Sequence, residues 1–144
     1  MTSPPTYHNP PGLGKPFGVY SHVARAGDLL FVAGQCGITA DNTIAGPDVA
    51  SQTWRAFENI RAILASQGAN LRDVVRFTSY LTSADDIGEF YAARERYFAE
   101  QYDEPNDLDG GYPPNTLLIV NGLVRVDLVV EVEAIARLRS VVAP

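Results

Sequence analysis

The chain has 144 residues, 46% of them apolar and 19% charged, with a formal net charge of −6. That length fits one domain over residues 1–144, large enough to bury roughly 68–70% of its unfolded surface without a disulfide or metal staple. The negative balance, with Lys15 as the sole lysine, disfavours a phosphate-backbone partner. No run approaches the roughly 18 apolar residues of a membrane span, and the N-terminus lacks the basic-then-apolar order of a secretory signal. The single cysteine, Cys36, cannot close an intramolecular disulfide. These features together point to a cytoplasmic protein.

Residues 1–17 read as an arm, because Pro4, Pro5, Pro10, Pro11 and Pro16 interrupt any continuous helix or ladder. A first strand is predicted over residues 18–24. After a turn at Arg25-Ala26-Gly27-Asp28, a second follows over 29–34, with Gly34 and Gly37 marking a break or a close backbone approach at its end.

Pro47-Asp48 opens a helix over 49–67, where Trp54, Phe57, Ile60 and Leu64 form one apolar stripe and Gly68 stands at the C-terminal left-handed position. Residues 74–82 are rich in Val, Phe, Thr and Tyr and read as a strand. A second helix, capped at Ser83 or Asp85, runs to about Ala99 with Ile87, Phe90, Tyr91, Tyr97 and Phe98 as its apolar positions. Residues 100–114 carry five carboxylates, paired glycines and three prolines, the composition of a long loop. Two closing strands are expected, over 116–120 and 128–136.

The order is β-β-α-β-α-β-β, an α+β domain with a mixed sheet of five to six strands and two helices on one face. Two helices cover only one face of such a sheet. The other face carries Val and Leu, so pairing with further subunits is expected.

A set of segments resembles the Rid proteins (reactive intermediate deaminases, or YjgF-like family). They are Tyr20-Ser21, residues 26–35 from Ala26 to Gln35, Gln52-Thr53, Asn59-Ile60, Val74-Val75, Tyr80-Leu81-Thr82, and residues 130–136 from Val130 to Ala136. The resemblance implies a chorismate-mutase-like fold, a homotrimer with small-molecule clefts between subunits, and no metal or organic cofactor. It also implies hydrolysis of enamines or imines to a carbonyl compound and ammonia.

In the deaminase branch of that family, Pro-x-Arg-Ser/Thr opens the penultimate strand and its arginine grips a substrate carboxylate. Here the stretch is Pro113-Pro114-Asn115-Thr116. A neutral amide replaces a permanently charged fork, and charge-assisted bonds are roughly twice as strong as neutral ones. The expected chemistry is therefore hydrolysis of an enamine, an imine or a related C–N bond on a substrate other than a classical 2-iminoacid.

The resemblance makes Glu131 the catalytic candidate that activates water, and makes Tyr20, Gly34, Asn115 and Thr116 candidates for substrate binding. Arg94, on the second helix where the family often has another site-lining residue, is a candidate replacement for the arginine. The plainer reading is a helix arginine paired with Glu95. Glu131 and Glu133 share one strand face at roughly 6.5–7 Å, and partial burial there would raise at least one pKa. Cys36, His8 and His22 are assigned no role, and Arg125 is another candidate for the arginine's place, with a solvated turn residue as its plainer reading. The alternative to an enzyme is a noncatalytic small-molecule-binding trimer. A ribonuclease or translation inhibitor, an activity reported for parts of the family, fits the acidic balance less well.

Overall fold

A computed structural model describes residues 3–102 and 111–140. Six strands, β1 (Thr6–His8), β2 (Val23–Ala26), β3 (Leu29–Cys36), β4 (Val74–Leu81), β5 (Asn115–Ile119) and β6 (Val130–Arg137), form one mixed sheet. Its spatial order is β1-β2-β3-β6-β4-β5. Two helices, α1 (Val49–Ser66) and α2 (Ile87–Gln101), pack on one face. The architecture is α+β and chorismate-mutase-like.

β6 lies between β3 and β4, antiparallel to both. Its alternation sets the two faces: Val130, Val132, Ala134 and Ala136 are buried toward the helices, while Glu131, Glu133 and Ile135 point the other way. β4 and β5 run parallel, which requires a crossover, and α2 supplies it. Under the helices Phe57 meets Phe77 edge-on at 5.5 Å, Tyr97 stacked at 5.3 Å and Phe98 at 5.2 Å. Emptying the Phe57 site to alanine would cost about 3–5 kcal/mol.

α1 begins where the Asp48 carboxylate accepts from Ser51 N at 2.8 Å. It ends before Gly68, whose φ of +75° is the left-handed conformation that glycine adopts without strain. Within the helix, Gln52 is fully buried and pins two distant loops. Its amide donates to Gly46 O and Asp127 O, and its carbonyl oxygen accepts from Val129 N.

Several elements differ from the sequence reading. The arm contributes β1, which fits between Pro5 and Pro10 because three residues can pair antiparallel with β2 without meeting a proline. The first hairpin strand starts at Val23 rather than Gly18, since a turn bonds Tyr20 N to Gly18 O. β3 continues past Gly34 to Cys36 by means of a bulge. Ser83 caps a short 3-10 turn instead of α2 itself. α2 extends into the expected loop as far as Gln101, and residues 103–110 of that loop lie outside the described residues. Arg125 is tied down, not merely solvated: it pairs with Asp127 and donates to Asn42 O at 2.8 Å.

The sheet face away from the helices is uncovered in the single chain. It exposes Tyr7 and Phe31 on one side and Leu118 on the other, around Thr78, Tyr80 and Glu133. Among the described residues no helix is long and apolar enough to cross a membrane.

Candidate active site

The site begins with an irregularity in β3. Its pairing with β6 shifts register between Val32 and Gln35, so Ala33 and Gly34 stand outside the ladder as a bulge. Beyond the bulge, Cys36 comes to lie directly opposite Glu131. The Glu131 side chain lies across Gly34: a Cβ built on Gly34 would sit 1.9 Å from Glu131 Oε1. Gly34 does not adopt a positive φ, so what glycine provides here is the space that the Glu131 carboxylate fills.

This arrangement opens onto a cavity of about 380 Å³, lined by Tyr20, His22, Gly34, Cys36, Asn59 and Glu131 together with the arm around Lys15. Burial raises the Glu131 pKa above the ordinary glutamate value. The neighbouring Glu133 charge adds to the rise, and the Cys36 thiol, bonded to the carboxylate, opposes it. The Cys36 thiol is pushed up to about 12, first by burial and then by the Glu131 charge. It stays protonated and serves as a donor to Glu131.

The remaining wall is held by a polar relay. Gln35 Nε2 donates to Ala33 O at 3.0 Å and meets His22 Nδ1 at 3.3 Å. His22 Nε2 lies 2.8 Å from Gly14 O, and His22 N donates to Asn9 Oδ1. The ring thus has a carbonyl oxygen at Nε2 and an amide nitrogen at Nδ1. The arm is thereby tied over the cavity. Tyr20 Oη accepts from Phe17 N at 3.1 Å, which leaves its own proton for a ligand. Asn59 Nδ2 donates to Cys36 O and Ile38 O, fixing the strand end from α1.

Of the residues singled out in the sequence, Tyr20, Gly34 and Glu131 converge on this cavity. Glu133 shares their sheet face but accepts from Tyr80 Oη at 3.0 Å and lines a neighbouring hollow. Thr116 is also on that face, and its hydroxyl accepts from Arg76 Nη2. Asn115 and Arg94 are elsewhere in the single chain. Asn115 accepts from Ser79 Oγ at 2.7 Å on the helix-covered side, and Arg94 lies over the Phe98 and Phe77 rings.

His22, Cys36 and Asn59 escaped the sequence reading as site residues. The signal for Asn59 was a polar side chain beside Ile60 on the apolar stripe of α1. For His22 and Cys36 no local signal existed, because the bulge creates their positions.

Residues 13–138 match the family model for endoribonuclease L-PSP. The chain belongs to this family, that of the RutC, YjgF and Rid proteins. Within it, a RutC family protein of Pyrococcus abyssi is 37% identical over 123 residues, covering 85% of this chain and 88% of the relative. A RutC family protein of Pyrococcus horikoshii is 35% identical over the same length, covering 85% and 89%. The crystal structure of RidA from an Antarctic Psychrobacter superposes with a TM-score of 0.73 at 28% identity, covering 88% and 94% of the two chains. Escherichia coli YjgF shares the fold with a TM-score of 0.81 at 23% identity, covering 93% and 99%.

Proposed function

We propose that this Rid-family chain hydrolyses the C=N bond of a small imine, or of an enamine after tautomerisation, in the cavity beneath Glu131. The observation that carries the reading is the Glu131 carboxylate lying over Gly34, half-buried and raised in pKa. Such a group holds a proton more readily than an exposed glutamate and remains available as a base near neutral pH.

Glu131 takes a proton from water as the water oxygen bonds to the imine carbon and the π electrons move to nitrogen. Glu131 passes that proton to the nitrogen, giving a carbinolamine. The carboxylate then takes the hydroxyl proton as the carbonyl forms and delivers it to the amino nitrogen, the C–N bond breaks, and ammonia leaves. Imine and water thus yield carbonyl compound and ammonia, with no redox change. Tyr20 donates a hydrogen bond from its phenolic hydroxyl to the substrate, and Gly34 leaves room for the reacting carbon beside the carboxylate.

The assembly in this reading is a homotrimer, with the uncovered sheet face buried between subunits. Its support is the row of exposed apolar side chains on that face. The endoribonuclease activity in the family name accords poorly with a net charge of −6.

The test is ammonia release from freshly generated imines with and without a carboxylate. The expected result is faster turnover of the neutral imines, because Asn115 offers no charge to a carboxylate, and its loss in Glu131→Ala. Release no faster than in buffer for every imine would overturn the proposal.

A further inference from the structure

The arm lies along the Glu131 cavity on few attachments. Leu13 packs against the core. Among the described residues, three hydrogen bonds tie residues 9–17 to the chain beyond them, and His22 makes two. His22 N donates to Asn9 Oδ1 at 2.9 Å, and its ring Nε2 meets Gly14 O at 2.8 Å. The third runs from Phe17 N to Tyr20 Oη.

The segment also has space beside it. Leu13, Gly14, Lys15 and Phe17 line the Glu131 cavity. Asn9, Pro10 and Pro16 line a second hollow of about 460 Å³, which shares Leu13, Gly14 and Lys15 with the first. Residues 13–15 thus divide two cavities. Just before them Gly12 has a φ of +84° and nothing within 4 Å of an added Cβ, so the backbone turns there free of packing.

His22 holds the bulge as well as the arm. Its carbonyl oxygen accepts from Ala33 N at 2.9 Å, and its Nδ1 faces Gln35 Nε2 at 3.3 Å. Ala33 and Gln35 flank Gly34, over which the Glu131 carboxylate lies. One buried residue joins the arm to the backbone that seats Glu131.

We infer that residues 9–17 form a strap that opens and closes over the Glu131 cavity, with His22 as the latch that couples closure to the bulge. Each hydrogen bond contributes only modestly in net terms, so a segment held by three opens locally while the core stays folded. Opening admits a ligand, and closing retains it beside Glu131. What the strap encloses rests on the imine reading above, whereas the opening itself does not.

The test uses the single cysteine. Cys36 lines the cavity under the strap, so its labelling by an uncharged methanethiosulfonate reagent reports opening without any turnover. Rates are measured at pH 8 on the full chain, Asn9→Ala and His22→Ala, with urea raised toward but kept below the unfolding transition. Local opening exposes little surface, so the rates should stay nearly flat in urea, whereas labelling through global unfolding would climb with it. Either substitution should raise the rate at least tenfold. His22→Gln, which keeps an N–H within reach of Gly14 O, should label more slowly than His22→Ala. Asn9 is exposed, and its variant serves if His22→Ala does not fold. Unchanged rates in the folded variants, or rates that climb steeply with urea, would overturn the strap. Neither outcome depends on ammonia release, so failure of the strap and failure of the imine reading are told apart.

Discussion

Gly34 and Glu131 occupy each other's space: the Glu131 carboxylate stands where a side chain on residue 34 would be, with Oε1, Cδ and Cγ at 1.9, 2.7 and 2.9 Å from an added Cβ. All three atoms belong to one side chain, so the conflict is resolved by moving Glu131 rather than the backbone. Gly34→Ala should therefore fold with little loss of stability yet lower kcat at least tenfold, since displacement of a catalytic group by about 1 Å can cost a hundredfold. Thermal unfolding and steady-state rates on the same preparation check this. An alanine variant with wild-type kcat would separate the bulge from catalysis.

Burial of Glu131 also predicts a pH dependence of stability. Its folded-state pKa is raised above the unfolded value, so the native state binds more protons between the two. Stability then falls as pH rises through that window. Glu131→Gln removes the penalty and should melt at a higher temperature than wild type at pH 7. The gap should close below about pH 4, where the glutamate is protonated in both states. Melting curves from pH 3 to 8 provide the comparison.

The Cys36 thiol, pushed up to about 12 by burial and by the Glu131 charge, should be inert in the folded protein. A disulfide reagent at pH 8 is expected to label Cys36 at least a hundredfold more slowly in buffer than in denaturant. Rapid native labelling would mean that the carboxylate and thiol are not in contact.

Phe31 is exposed on the uncovered sheet face, directly across from Ile135. In the proposed trimer it is buried between subunits. Light scattering should give three chain masses for wild type and a smaller species for Phe31→Asp, whose carboxylate would be desolvated by assembly. A wild-type mass of one chain would contradict the trimer.

The order of helices and long strands was legible in the sequence because it rests on periodicity: the Phe57, Ile60 and Leu64 stripe and the alternation of β6 are local patterns. What escaped depends on contacts far apart in sequence. β1 pairs only because β2 offers an edge, and residues 18–22 follow a turn that composition does not specify. Of the site, Tyr20, Gly34 and Glu131 were identified through family resemblance, and the structure brings them to one cavity. The role of His22 in tying down the arm requires Gly14 and Gln35 to reach the two nitrogens of its ring, which no spacing announces. The plainer reading of Arg94 pairs it with Glu95, whereas the structure sets its guanidinium over the Phe98 and Phe77 rings, contacts that no local pattern announces.

The most direct measurement is kcat/KM for ammonia release from a freshly formed neutral imine, followed from pH 4 to 8 in wild type and Glu131→Gln. Wild type should show an ascending limb with its midpoint above the ordinary glutamate range, and the variant should lose at least about a hundredfold in rate together with that limb. Equal rates in the two proteins, or the same limb in both, would contradict Glu131 as the base.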